Sequence, residues 1–269
     1  MNGTSVAHSL LTTPALAVHD VACCGQPANH GVLLGGDAPR LVLVRRGAFI
    51  VQRDDREHVA DPCSAIVLWD RVDYRVRHPG PGGDDCVVIA LDHRVAGRLL
   101  GGLRRDRDVA LPLGPQLQVA VAAFGTAARR AATPATTEQA ALGLLAAIVA
   151  NADQRPVAQG PTRQLATAAI GLIHRDLATN HEIAEVADEL GCSTFHLMHA
   201  FRAELGQTLR AYRVRARLGV ALHRLADGED DLATLAVELG FASHSHLTDT
   251  FVRALGAPPS QLRAYLRGA

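Results

Sequence analysis

The chain has 269 residues, 48% hydrophobic and 20% charged, with 27 basic and 27 acidic side chains that cancel. That composition excludes a disulfide scaffold, a collagen-like fibre and a wholly disordered chain, and at about 100 to 200 residues per domain it leaves room for two domains. Zero net charge argues against a surface built throughout to hold a polyanion. Five cysteines (Cys23, Cys24, Cys63, Cys86 and Cys192) form an odd set without a CxxC pair, which fits a reduced, cytoplasmic interior. The first twenty residues lack a basic segment ahead of an apolar one, and no window reaches about 18 uninterrupted apolar residues, so neither a signal peptide nor a membrane span is expected.

In chain order, the first elements are short strands. Val32–Leu34, Leu41–Val44, Ala48–Gln52, Ala65–Trp69, Asp73–Val76 and Cys86–Leu91 are separated by breaks such as Gly35-Gly36-Asp37, Asp61-Pro62 and the run from Pro79 to Gly83. Such a series predicts a small antiparallel sandwich or barrel. Two Ala- and Leu-rich helices follow, over 116–130 and 138–150, with Leu142, Leu145 and Val149 at helical spacing and a connection over 131–137. An exposed apolar stripe of that kind needs a partner, either the chain's own barrel or a second subunit, and the expectation is a homodimer through these helices. Residues 151–162, polar and holding Pro156, Gly160 and Pro161, read as a linker, and everything after them is helical.

The last hundred residues contain a duplication. Residues 182–191 (EIAEVADELG) are echoed by 231–240 (DLATLAVELG), so that Ile183, Val186, Ala187 and Leu190 match Leu232, Leu235, Ala236 and Leu239 at the spacing of a one-faced helix. After each glycine a second helix is expected, capped by Ser193 and running through Leu197 and Phe201, or capped by Ser243 and running through Leu247 and Phe251. Helix, glycine turn, helix, with small Ala184/Ala187 and Ala233/Ala236 at the crossing, is a helix-turn-helix arrangement. A long helix over 209–225, stopped by Ala226-Asp227-Gly228, joins the copies. Arg163–Leu177 precedes them and Gln261–Leu266 closes the chain.

Both copies, together with the closing stretch from Phe251 to Arg263 (FVRALGAPPSQLR), make residues of about 162–267 resemble the DNA-binding domain of AraC/XylS-type bacterial transcription regulators. Residues of about 15–112 resemble the cupin-like sensing domain of many such regulators, and the helices after them resemble the family's dimerisation segment. The expected fold is therefore two-domain α+β: a cupin-like antiparallel β-barrel over 1–112, a helical dimerisation segment over 113–155, and an all-α domain with two helix-turn-helix units over 156–269. The resemblance implies control of bacterial promoters by a cytoplasmic homodimer that binds double-stranded DNA, meets RNA polymerase and answers to a small-molecule effector. The alternative is an effector-independent regulator whose N-terminal domain serves only dimerisation or partner recruitment.

If Leu197 and Phe201 face the core, the opposite face of that helix presents Thr194, Phe195, Met198 and His199. In the second unit the outward set is His244, Ser245, Thr248 and Asp249. These eight are the candidates for base edges in the major groove, and the family's matched positions contact DNA too. Phe195 and Met198 suit thymine methyls, whereas an ionised Asp249 can only accept, as from a cytosine amine. Relatives often carry arginine where His199 and Asp249 stand, and for Asp249 a surface ion pair with Arg253 one turn on is the competing role. His196, Arg202 and Arg253 are the phosphate candidates. From 161 to 269 the sequence holds eleven arginines against twelve Asp and Glu, but Arg202, Arg210, Arg213, Arg215, Arg217 and Arg224 cluster between the units. Arg217 serves either that cluster or a buried pair with an interhelix carboxylate.

No enzyme is expected. The barrel region lacks the HxH pair of metal-bearing cupins, with His30, His58, His78 and His93 isolated, and neither a nucleotide-binding glycine motif nor a nucleophile elbow occurs. Adjacent Cys23 and Cys24 would point to opposite faces of a strand, which makes joint ligation with His30 awkward, so no metal or cofactor is assigned. Trp69, Tyr74 and Arg75 are the candidates for an effector cavity, set against plain packing and a surface arginine.

Overall fold

A computed structural model describes residues 5–24, 32–34, 36–53, 56–79, 82–103, 110–130, 133–152 and 160–268. Ten strands come first: β1 (Ser5–Thr12), β2 (Leu16–Cys23), β3 (Val32–Leu34), β4 (Arg40–Gly47), β5 (Phe49–Arg53), β6 (Arg56–Ala60), β7 (Ser64–Leu68), β8 (Tyr74–Arg77), β9 (Asp84–Leu91) and β10 (Ala110–Pro112). A short helix α1 (His93–Leu99) lies between the last two. Then come α2 (Pro115–Arg129), α3 (Pro134–Ala150), α4 (Pro161–Arg175), α5 (Ile183–Glu189), α6 (Thr194–Leu205), α7 (Leu209–Asp227), α8 (Leu232–Glu238), α9 (His244–Leu255) and α10 (Pro259–Gly268).

The strands form two stacked antiparallel sheets, ordered β1-β2-β9-β4-β7-β10 and β3-β8-β5-β6. Between them lie Val42, Val44, Phe49, Val51, Ile66, Leu68 and Tyr74. The outer face of the six-stranded sheet is covered by α1, α2 and α3, through Leu41, Leu43, Val87 and Ile89 against Val121, Phe124, Leu145 and Ile148. Because β4 and β7 are covered on both faces, they read as continuous apolar runs (LVLV, AIVL) rather than as alternation. The expected barrel thus takes the form of a two-sheet sandwich with trailing helices.

Each strand expected between residues 32 and 91 is present within a few residues of its expected ends. β1, β2, β6, β10 and α1 were not expected; β1 is an edge strand whose first five residues are exposed, so it lacks an apolar signature. α3 begins at Pro134 with Thr133 as its cap, so most of the expected connection over 131–137 is helix. Its repeat Leu142, Leu145 and Val149 faces the chain's own core, which removes the unpartnered stripe behind the dimer expectation. Of the expected linker, residues 153–159 lie outside the described residues.

The helical half packs back onto the sandwich. Helix α2 carries Phe124 and Ala128 into the sheet core and Val119, Ala122 and Ala123 into the core of α7–α10. Ile50, Val59 and Cys63 join the core formed by α4–α7. Asp61, fully buried, receives hydrogen bonds from the Tyr212 hydroxyl, His174 (3.1 Å) and Ser64. Burial alone would raise the Asp61 pKa, but these donors and the His174 charge hold it below the usual carboxylate range. Nearby, Gly219 lets α7 approach the Pro62 turn, since a Cβ there would lie 2.7 Å from Pro62 and 2.8 Å from Gln118 Nε2.

Two buried histidines make this contact sensitive to acid. Desolvation, with Arg163 and Arg56 nearby, lowers the His58 pKa to about 3; desolvation, with Arg45 and Arg129 nearby, does the same for His223. An unfolded histidine takes up a proton near pH 6.5. Between about pH 6.5 and pH 3 the unfolded chain therefore binds protons that the native state refuses, and stability falls as pH falls. We expect His223→Gln to flatten the pH dependence of the unfolding free energy by about 1.4 kcal/mol per pH unit in mid-window. Urea titrations at about pH 4, 5 and 6 check this, and equal slopes for variant and parent would contradict it.

Candidate nucleic-acid interface

The two copies fold alike. Gly191 and Gly240 take positive φ (65° and 73°) at the ends of α5 and α8. Ser193 Oγ accepts from the His196 amide (3.2 Å) and Ser243 Oγ from the His246 amide (3.1 Å), which starts α6 and α9. Gly206 and Gly256 stop them in the left-handed conformation. The duplication also reaches beyond the motif read from sequence. Arg175 pairs with Glu189 at the first unit and Arg224 with Glu238 at the second, so each unit's preceding helix is tied to the end of its first motif helix.

Helix α7 serves both units, and Arg217 on it is buried at 3% exposure. Its guanidinium donates to the carbonyls of Leu177 (2.8 Å), Ala178 (2.9 Å), Thr179 (3.3 Å) and Gly240 (2.8 Å) and lies over the Phe241 ring. Neither expected role of Arg217 is the one found: its partners are carbonyls of both units, with no carboxylate bonded to it among the described residues. Desolvation, with Arg213 nearby, lowers its pKa to about 10, which leaves it charged at neutral pH. Gly240 is bound to be glycine here, since a Cβ would sit 1.8 Å from the Ala178 carbonyl oxygen.

On α6, Leu197, Ala200 and Phe201 are buried while Thr194, Phe195, Met198 and His199 are exposed. Phe195 is 74% exposed, and its ring stacks on His199 at 6.2 Å. On α9, Leu247, Thr250 and Phe251 are buried, His244, Ser245 and Asp249 are exposed, and Thr248 is half-buried. Asp249 makes no ion pair with Arg253 among the described residues, so its carboxylate is uncommitted on that face.

The arginine cluster divides sharply. Arg202 and Arg253 are exposed and unpaired among the described residues, and so is Arg210, which sequence reasoning counted without singling out. The other four are structural: Arg213 donates to the His181 carbonyl (3.0 Å), Arg215 lies against Cys63, Arg217 is described above, and Arg224 pairs with Glu229 and Glu238. His196 is exposed. Its counterpart His246 accepts from the Ala242 amide (3.2 Å) and packs on Phe241.

Of the three residues expected around an effector, Trp69 and Tyr74 meet through a main-chain hydrogen bond, and no side-chain cluster among the described residues holds all three. Trp69 belongs to the core under the helices, Tyr74 to the core between the sheets, with its hydroxyl accepting from the Trp69 amide (2.9 Å), and Arg75 is exposed. An open recess of about 690 Å³ lies elsewhere, between the β1–β2 turn (Thr13, Pro14) and the start of α3 (Pro134, Ala135, Glu138, Gln139, Leu142, Gly143).

Two successive helix-turn-helix units on a shared helix, each presenting an exposed second helix, define a double helix-turn-helix protein. Residues 186–265 match the family described as a helix-turn-helix domain. The chain is 35% identical over 97 residues to an AraC-like transcription regulator of Streptomyces lividans, covering 36% of this chain and 32% of that protein. It is 25% identical over 236 residues to the virulence regulon transcriptional activator VirF of Yersinia enterocolitica, covering 84% and 80%. The crystal structure of ToxT from Vibrio cholerae O395 is 13% identical at a TM-score of 0.39, covering 96% and 100%. The alignment thus spans about a third of the Streptomyces relative's length. Residues 186–265 therefore carry a helix-turn-helix domain, and the chain is similar to AraC-like transcription regulators.

Breaking the central clamp should be costly. Arg217→Met leaves four carbonyls unsatisfied, and we expect a loss of about 3 kcal/mol or more, with Arg217→Lys restoring little because an ammonium cannot fan out to four carbonyls in two loops. Denaturant unfolding measures this, and a loss below about 1 kcal/mol would show that the clamp is dispensable.

Proposed function

We propose that this protein is a sequence-specific DNA-binding transcriptional regulator of bacterial promoters. The carrying observation is that α6 and α9, capped alike and held on one frame by Arg217, both expose the faces their sequences leave outside the core. In this reading Thr194, Phe195, Met198 and His199 meet one major-groove segment, and His244, Ser245, Thr248 and Asp249 meet the next, about 34 Å along the duplex. Arg202, Arg253 and His196 contact phosphate, joined by Arg210. No described helix is long and apolar enough to cross a membrane, and the reading places the protein in the cytoplasm, on the nucleoid when bound to DNA.

In the same reading the domains divide near residues 112 and 155, and the chain acts as a homodimer that meets RNA polymerase at its promoters. The exposed face of α3, with Ala140, Gly143 and Ala146, offers close helix contact to a second copy. A specific observation also favours the second reading, in which the N-terminal domain recruits or dimerises without an effector: Trp69 and Tyr74 are core side chains in separate clusters. Under the first reading an effector instead alters how the sandwich docks on α4 and α7. Sedimentation of the full chain at high micromolar concentration tests the dimer, and a monomer there would reject it.

Two DNA measurements test the interface. Replacing Arg202 or Arg253 by alanine should weaken binding to all duplexes alike and lower the slope of log affinity against log salt by about 0.9 each. Replacing Asp249 by alanine should cost about 1 to 3 kcal/mol of discrimination at one C·G pair and leave non-specific binding nearly unchanged. Titration of a panel of site variants at two salt concentrations reads both. Equal gains for D249A on every sequence would assign its carboxylate to phosphate repulsion instead, and a full chain that selects no preferred site from random duplexes would overturn the proposal.

A further inference from the structure

One cluster of metal-ligating side chains in the N-terminal domain has no part in DNA reading. Cys23 at the end of β2 is the direct antiparallel partner of Asp84 at the start of β9, so both side chains leave the same face of the six-stranded sheet. Cys86, two residues further along β9, shares that face and donates its thiol to Asp84 Oδ2 (2.8 Å). His78 comes from the opposite sheet, just beyond β8, and its Nε2 lies 2.5 Å from Asp84 Oδ1. The Cys23 sulfur, a His78 ring nitrogen and an Asp84 carboxylate oxygen all lie within 4.8 Å of one another. On the other side of Asp84, β4 closes in at Gly47, where a Cβ would lie 2.1 Å from the Gly83 carbonyl oxygen. The carboxylate is thus held between two strands and aimed at the donors.

From this geometry we propose that Cys23, His78 and Asp84 bind a zinc-class divalent cation that bridges the two sheets, with Cys86 orienting the carboxylate through its second oxygen. A thiolate, an imidazole and a carboxylate are the ligand types zinc uses, and hard cations such as calcium or magnesium would reject the sulfur and nitrogen. Ligand atoms around a tetrahedral zinc stand roughly 3.3–3.8 Å apart at its usual bond lengths, so the His78–Asp84 contact of 2.5 Å has to open by about 1 Å while the Cys23 sulfur, within 4.8 Å of both, reaches that spacing by a side-chain shift. Burial favours retention of the ion, since His78 and Asp84 are 10% and 7% exposed, while half-buried Cys23 leaves a side for entry. The Cys86 thiol on the free carboxylate oxygen is the second contact that fixes a ligating carboxylate. On binding, Cys23 and the imidazole present lone pairs to the metal and release any protons they carry to solvent, with no change of oxidation state.

The test uses the full chain, reduced, stripped with a chelator and titrated with Co²⁺. We expect one equivalent to bind with thiolate-to-cobalt absorption in the near ultraviolet and tetrahedral bands in the visible, both erased by Zn²⁺. Cys23→Ser and His78→Gln should each weaken binding at least about tenfold and remove the sulfur band or the tetrahedral bands. Changing the exposed Cys24 to serine, or His246 to glutamine, should leave both. Far-UV circular dichroism of the metal-free variants establishes that they fold. If either ligand variant does not, the parent chain decides: absence of the thiolate band, or less than about one tenth of an equivalent bound under conditions where structural zinc sites fill, overturns the proposal. Loss of the band in Cys24→Ser, or its survival in Cys23→Ser, overturns it equally.

Discussion

The pose of one exposed second helix, α6, relative to the other, α9, depends on a single buried cation. Helix α7 ends the first unit and begins the second, so any slack between the units must appear where the loops on either side of it meet. Arg217 removes that slack by donating to Leu177, Ala178 and Thr179 ahead of α5 and to Gly240 in the turn after α8. A planar guanidinium with divergent donors can hold four carbonyls in two loops, whereas a hydrophobic residue would pack there and orient nothing. One turn earlier Arg213 holds the His181 carbonyl, so both arginines set the entry to α5. The paired bridges Arg175–Glu189 and Arg224–Glu238 then repeat one attachment in both copies. Being exposed, they add orientation more than stability.

The same frame explains why the sandwich and the helical half share cores. α2 is buried on two sides, and the turn at Asp61 and Pro62 inserts against α4 and α7, where Gln118 donates to the Pro62 carbonyl (2.8 Å). Asp61 is a buried anion answered by Tyr212 and His174, which belong to the first helix-turn-helix unit's supporting helices. Such a contact is favourable only while every member is present, because removing one leaves a buried charge or dipole unanswered. Any change in the sandwich that moves the Asp61 turn is therefore transmitted to α4 and α7 through hydrogen bonds whose loss is expensive, rather than through adjustable apolar packing.

What could be read from the sequence is what is local. The helical copies were legible because the 3.6-residue period, the Ser193 and Ser243 caps and the turn glycines all act within about ten residues. β4 and β7 announced themselves as apolar runs, but β1 had no alternation to show because nothing covers its first half. Within the arginine cluster the partners of Arg217 were hidden for a related reason. Counting charges along the chain shows neither that Arg202 meets solvent nor that the partners of Arg217 are carbonyls about 23 and 40 residues away instead of a carboxylate. Likewise Leu142, Leu145 and Val149 could be recognised as a stripe, but not the surface they meet. The Cys23, His78 and Asp84 group brings together residues from three separated segments across two sheets, and no spacing rule links them.

With most of its arginines committed to the frame, the helical domain has few charges left for the DNA backbone. Arg202 on α6, Arg210 on α7 and Arg253 on α9 are the exposed, unpaired ones among the described residues, against an overall excess of one acid from 161 to 269. Electrostatic attraction independent of sequence scales with the number of phosphates neutralised, so in the proposed reading this surface holds bulk DNA weakly. In the proposed reading, discrimination then rests on side chains that differ between the units: an aromatic, a thioether and an imidazole on α6, and hydroxyls, an imidazole and a carboxylate on α9. In that reading, two unlike faces fixed on one rigid helix meet a site without internal symmetry, and the same rigidity sets the spacing between its two halves. In that reading a free carboxylate on the second face sharpens the bias, because its acceptor oxygens are rewarded only where a donor amine stands opposite.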